Sequence, residues 1–397
     1  MPATTLHELR LASRMSRLGT ETAFEVLNRA RQLEKQGKEI IHLEIGEPDF
    51  DTPANVIEAG VDALHKGWTH YGPPAGLPDL RQTIADYVSR TRNVPVSSEE
   101  VVVVPGGKPI IFFTILALID AGDEVIYPNP GFPIYESMIN YSLGKAIPIP
   151  LREDRDFSVD VKELASLITD RTKLIILNSP HNPTGGVLTR KDIFEIAEAI
   201  GDRNILILSD EIYSRLIYEG EHFSIISVPG FKERTILLDG FSKTYAMTGW
   251  RLGYGVMRPD LAVNISRLVT NSNSCTASFT QIAGIEALRG DQSSVDKMSS
   301  EFKRRRDAFV AGLNRIKGFS SRMPKGAFYT FPNITKTGWS SRKLADALLE
   351  QAGVACLSGT AFGEYGEGYL RFSVANSLEN LNKALGRIED WVGKNLR

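Results

Sequence analysis

Lys243 comes shortly after the apolar run Ile236-Leu237-Leu238, and Arg251 follows that lysine by eight residues, with Gly249 before the arginine and Gly253 after it. A lysine captures a carbonyl only where its surroundings favour the neutral amine or hold it as a Schiff base. The end of a buried strand inside a dry pocket is such a place. Arginine offers a phosphate two parallel donors, a geometry that lysine cannot reproduce. The pair therefore reads as an imine-forming amine beside a phosphate clamp. Taken alone, it could equally be a buried lysine neutralised by a carboxylate and an arginine on a helix face, so the elements that carry it must decide.

Between about residues 100 and 255, short β-branched runs at 101–104, 124–127, 173–178, 204–209 and 235–239 alternate with segments of helical period at 109–119, 131–140 and 190–200. Continuous apolar strands of this kind belong to a parallel sheet covered on both faces. The expected fold class is α/β, a doubly wound, mostly parallel sheet. After residue 276, amphipathic helices at 277–288, 295–316, 341–351 and 378–394 enclose short strands at 327–331 and 369–374. This pattern predicts a smaller α+β domain, and the early helix over 21–36 is expected to pack with it. The expected division is an N-terminal arm with part of the small domain over 1–45, a large domain over 46–285 and the small domain over 286–397.

Ligands in an open parallel sheet bind beyond the carboxyl ends of the strands. Gly106-Gly107-Lys108, Asn182, Asp210 and Lys243 all fall at such ends. They supply a small-residue phosphate loop, an amide, an acid and an amine. Gly107 and Lys108 precede a helix whose first turn holds Pro109, so their backbone N–H groups point at the anion-binding end of that helix.

GEPDFDTP at 46–53, HYGPPAGLPDLR at 70–81, GGK at 106–108, SPHNPTGG at 179–186, DEIY at 210–213, SKTYAMTGWRLGY at 242–254 and YLRFSVA at 369–375 stand in this order along nearly the whole chain. Together they resemble the signatures of the fold-type-I, class I/II aminotransferases that depend on pyridoxal 5'-phosphate, in particular the bacterial aspartate type. The resemblance implies that Lys243, next to Ser242, holds the cofactor as a Schiff base and then carries the proton at the substrate α-carbon. It implies that Asp210 meets the pyridine nitrogen, that Tyr213 and Asn182 reach the phenolic oxygen, and that Phe132 stacks on the ring where many relatives use tryptophan or tyrosine. Gly107, Lys108 and Arg251 would hold the phosphate, joined by Tyr71 from a neighbouring subunit in a homodimer with shared sites. Arg371 resembles the clamp for the substrate α-carboxylate, with Gly46 close by and the Asn182-Pro183 bond of a kind that is often cis.

The implied reaction moves an amino group between an L-amino acid and a 2-oxo acid. Lys108 could pair with a distal carboxylate and favours an acidic donor, aspartate or glutamate. Glu21, in a segment expected near the substrate, argues the other way, and Phe132, Tyr329 and Phe362 would make room for an apolar or aromatic side chain. A β-lyase, a cyclising or an oxidising enzyme could keep every cofactor residue, because the surroundings choose the fate of the carbanion. With 46 basic and 48 acidic residues, nothing points to nucleic acid or an anionic membrane. Two distant cysteines, Cys275 and Cys356, fit reduced thiols in the cytoplasm rather than a disulfide or a metal site. Charged residues interrupt Leu6, Leu9, Leu11 and Leu18, which argues against a secretion signal, and His7-Glu8 with the amphipathic spacing makes the first twenty residues read as an arm lying on the protein rather than an Arg-rich transit peptide.

Overall fold

The computed structural model describes residues 9–396; residues 1–8 of the expected arm lie outside them. Helix α1 (Thr22–Lys35) precedes strand β1 (Ile41–His42), and helices α2 (Ala54–His65) and α3 (Pro78–Arg92) follow. Seven strands then build the main sheet: β2 (Val101–Val104), β3 (Glu124–Asn129), β4 (Lys145–Pro150), β5 (Thr172–Asn178), β6 (Leu206–Asp210), β7 (Thr235–Gly240) and β8 (Gly253–Val256). In space they run β2-β8-β7-β6-β5-β3-β4. Only β8 is antiparallel to its neighbours. All four valines of β2 are buried, as a strand covered on both faces requires.

The sequence reading finds five of these seven strands. Strand β4 escapes it because Pro148 and Pro150 interrupt its apolar run, which an edge strand tolerates. Strand β8 carries Gly253 and Gly255, and the second is there for packing. A methyl group at 255 would lie 2.8 Å from Ile110 Cδ1 on the helix α4 (Lys108–Leu118) that crosses the sheet. Helix α5 (Ile134–Tyr141) follows β3 on the same side as α4, and Tyr135, Met138 and Ile139 join the core beneath α4.

The remaining strands are short. β1 pairs in parallel with β10 (Val354–Ala355), while β12 (Leu370–Ser373) lies between β11 (Leu357–Ser358) and β9 (Tyr329–Thr330) in an antiparallel sheet. Leu43, Phe302, Phe309, Phe372 and Trp391 belong to the core packed around them. As expected from its pattern, α1 packs with these C-terminal elements: Val26, Ala30 and Leu33 meet Leu349 and Ala355. Arg29 adds an ion pair with Asp346 at 2.6 Å. Of the arm, Arg17 Nε donates to Asn140 O at 3.1 Å and Gly19 N to Ser137 Oγ at 2.9 Å, so this stretch lies on α5.

Candidate active site

The carboxyl ends of β2, β5, β6 and β7 open into one cavity of about 520 Å³, and Gly107, Lys108, Asn182, Asp210, Ser242 and Lys243 all line it. So do Gly46, Phe132, Tyr213, Arg251 and Arg371. Of the residues singled out from the sequence, Phe362 lies behind the wall and Tyr71 stands apart altogether. Tyr71 is 90% exposed in a loop away from this chain's own cavity.

Lys243 lies three residues beyond the end of β7. Its Nζ donates to Gly46 O at 2.5 Å. Burial, assisted by the cations of Arg371, Lys108 and Arg251 and opposed by Glu47, pushes this lysine down to about 8. About a tenth of the amine is then neutral at pH 7, far more than for an ordinary lysine, and the neutral form is the one that attacks a carbonyl. Gly46 is glycine for a reason the sequence does not disclose: a methyl group there would lie 2.0 Å from the Tyr329 hydroxyl.

In the same cavity, Gly107 caps α4 without any side-chain cap, and Pro109 occupies the first turn. The helix therefore presents free N–H donors and its positive end to the cavity. Arg251, held at a positive φ of 55°, turns its guanidinium back over this loop, donating from Nη1 to Thr248 O at 2.8 Å. A Cβ on Gly106 would meet that guanidinium at 2.1 Å, and one on Gly253 would lie 2.6 Å from Gly107 N. The two glycines let loop and arginine close on each other. Together they form a cradle of donors for an anion.

Asp210, buried at the end of β6, is pushed up to about 6 by burial, although Tyr135 and the Ile212 N–H pull the other way. Tyr135 Oη donates to Asp210 Oδ2 at 2.6 Å, and Ile212 N approaches Oδ1 at 3.3 Å. Tyr135 is a residue that the sequence reading misses. Its one signal is its spacing, three residues after Phe132 at the start of a helix, and its ring meets that of Phe132 edge to face at 5.9 Å. Asn178 is a second omission. Its Nδ2 donates to Asp210 O at 3.0 Å and its Oδ1 accepts from Asn182 N at 3.0 Å, tying the ends of β5 and β6 to the loop that carries Asn182.

Arg371, fully enclosed on the middle strand β12, donates from Nη1 to Asn182 Oδ1 at 3.2 Å and from Nη2 to Glu44 O, while its Nε has no partner. Aromatic rings cover both sides, with Tyr329 at 4.5 Å and Phe362 at 4.9 Å from the guanidinium carbon. Phe362 thus backs the arginine instead of lining the cavity. The Tyr329 hydroxyl lies 2.7 Å from that of Tyr213. Asn182-Pro183 is cis. Over this site, Glu21, Ala23 and Phe24 at the start of α1 form part of the wall.

A family model described as aminotransferase class I and II matches residues 38–388. The chain belongs to the class I and II aminotransferases. It is 43% identical to an aspartate aminotransferase of Pyrococcus horikoshii over 92% of this chain and 93% of that protein. An aromatic-amino-acid aminotransferase 2 of Thermococcus litoralis is 38% identical over 88% of this chain and 91% of its own length. Among solved structures, the aspartate aminotransferase from Thermus thermophilus with maleate superposes with a TM-score of 0.93 at 35% identity, covering 96% of this chain and 100% of that one. The enzyme uses pyridoxal 5'-phosphate, and the donor set fits it. The cradle of Gly106, Gly107 and Arg251 suits a phosphate, the Lys243 amine suits an aldehyde, and the buried Asp210 suits a basic ring nitrogen.

Proposed function

We propose that this aminotransferase takes aspartate or glutamate as its amino donor and that Lys243 moves the reacting proton. The observation that carries the reading is the convergence of a lowered lysine, a buried acid and an enclosed arginine on one cavity. Bound pyridoxal 5'-phosphate supplies the electron sink that makes the substrate α-proton removable. Lys243, with its affinity for protons reduced, takes that proton and returns it, a transfer worth roughly 10²–10⁴ in rate. Asp210, oriented by Tyr135 and the Ile212 N–H, would place a negative charge at the ring nitrogen. Tyr213 and Asn182 would donate to the phenolic oxygen, and Phe132 would cover a ring face. Gly107, the Lys108 backbone, Ser242 and Arg251 hold the phosphate. Arg371 binds the α-carboxylate, each of its two Nη groups keeping an N–H beyond its single protein bond for a bidentate contact. Gly46, through its carbonyl, steadies Lys243. Lys108 reaches the far end of the donor, and the name of the Pyrococcus relative supports an acidic one.

An aromatic donor is the second reading. Phe24, Phe132 and Tyr329 line the cavity, and the Thermococcus relative is named for aromatic amino acids. The same proposal makes the active unit a homodimer in which Tyr71 serves the partner's phosphate site. Exposed Tyr71, Trp68, Leu64 and Val61 on and after α2 support it as an apolar surface strip. Free Cys275 and Cys356 support a reducing compartment such as the cytoplasm. The packing of α1 with C-terminal elements supports the division into 1–45, 46–285 and 286–397.

Mixing the holoenzyme with single L-amino acids and no 2-oxo acid tests the reading. Aspartate or glutamate should change the cofactor absorbance in one turnover. Inert acidic donors beside a fast aromatic one would select the second reading. Ammonia, pyruvate or peroxide released without that change would place the chemistry with lyases or oxidases.

A further inference from the structure

Lys108 is not a free cation. Its ammonium pairs with the Glu21 carboxylate, and the same ammonium lies 5.4 Å from the centroid of the Phe132 ring. Glu21 is the residue before the first turn of α1, and it lines the cavity together with Phe24. Its charge is felt by Arg371 and by Tyr329, both of them deep in the site. A carboxylate of the chain itself thus lines the same cavity as Arg371 and is already paired with Lys108.

We propose that Glu21 sets side-chain specificity as an internal competitor for Lys108. With an aromatic or aliphatic donor the pair stays closed, and Phe24 and Phe132 meet the side chain over a wall whose charges are already neutralised. With an acidic donor the distal carboxylate takes Lys108 and Glu21 is released toward solvent. The exchange is feasible because the pair is not sealed: the Lys108 side chain is 43% exposed and that of Glu21 23%. Coulomb attraction between groups so placed is moderate, so one carboxylate can replace the other. One cavity can then take both an acidic and an apolar partner of the transfer, each with its charges paired. This rests on the reading that Lys108 faces the donor side chain, and it assigns to Glu21 the cost of bringing an acid there.

The test compares Glu21→Gln, Lys108→Met and the double variant, as holoenzymes, in single-turnover reactions with aspartate and with phenylalanine. The binding of maleate, an unreactive dicarboxylate, is measured alongside by calorimetry. Glu21→Gln should raise the aspartate-to-phenylalanine ratio of kcat/KM about ten-fold and tighten maleate to a similar degree. Lys108→Met should lower the same ratio. In the Lys108→Met background the gain from Glu21→Gln should largely vanish, because there is no cation left to release. A ratio and maleate affinity unchanged by Glu21→Gln overturn the proposal, and so does a gain that persists in full without Lys108. If no variant or wild type reacts with aspartate or glutamate while maleate still responds to Glu21→Gln, it is the donor assignment that fails and not the competition.

Discussion

Asp210 is a buried carboxyl whose proposed chemistry would come at the expense of the fold. Its carboxyl is pushed from 3.8 up to about 6 by burial, so the folded chain without cofactor holds a proton that the unfolded chain would release. A raised carboxyl contributes stability that is full below its unfolded value and is lost as pH rises through the folded one. The apoprotein should therefore lose up to about 3 kcal/mol between pH 4 and pH 7 on account of this group. Asp210→Asn resembles the protonated acid at every pH and still accepts from Tyr135. Denaturant melts of the apoproteins should show the variant more stable than wild type at pH 7 and equal to it near pH 4, while its turnover collapses. A variant no more stable than wild type at pH 7 would mean that the buried charge is compensated in the empty site. The convergence of Lys243, Asp210, Asn182 and Arg371 on one cavity is legible in the sequence, because they sit in ordered motifs. Tyr135 and Asn178 are not, since a tyrosine on a helix and an asparagine ending a strand gain their roles only from what folding places beside them.

Among the elements, the turn between β7 and β8 and the loop before α4 are fitted to each other backbone to backbone. Gly253→Ala would press its methyl against Gly107 N, an atom that cannot swing aside as a side chain does. Cofactor retention on dialysis should fall by about ten-fold or more, with a loss of about 1–3 kcal/mol in stability. Gly249→Ala, in the same turn but with no atom within 4 Å of the position its methyl would take, should leave both close to wild type. Equal losses in the two variants would refute the account of the cradle. A second element-level device joins α1 to β1: His42 Nδ1 lies 2.8 Å from Glu44 Oε1 and Nε2 3.0 Å from Glu34 Oε1. The bond to Glu44 first, and Glu34 after it, raise this imidazole to about 9. Its stabilisation is complete below the unfolded value of about 6.5 and disappears as pH rises through about 9. Melting temperatures of wild type should fall across that window more steeply than those of His42→Gln, and parallel curves would rule the link out. Nothing in the sequence singles out His42, because a histidine two residues from one glutamate and eight from another has no periodic signature. Strands rich in valine and isoleucine are legible for the opposite reason: burial on both faces writes itself into composition.

At the scale of the whole molecule, one chain brings an amine, an acid, a buried arginine and a glycine-rich loop to one cavity, yet leaves Tyr71 exposed outside it. No pattern within a single sequence says where a second copy lies, so this part of the site comes from resemblance and not from spacing. An apolar strip of Val61, Leu64, Trp68 and Tyr71 gives a two-fold dimer a surface on which to form. In such a dimer each site takes Lys243 from one protomer and Tyr71 from the other. Lys243→Ala and Tyr71→Ala homodimers should each be nearly inactive, with the second weakened chiefly in cofactor affinity. When the two are unfolded together and reassembled in equal amounts, half of the dimers are mixed. In each mixed dimer one site carries both lesions and its twin carries neither. Activity should therefore rise to about a quarter of that of wild type refolded in the same way. If Tyr71 serves the site of its own chain, every site in the mixture keeps one lesion and mixing restores nothing. Sedimentation of the mixture at assay concentrations separates that outcome from a simple failure to reassemble.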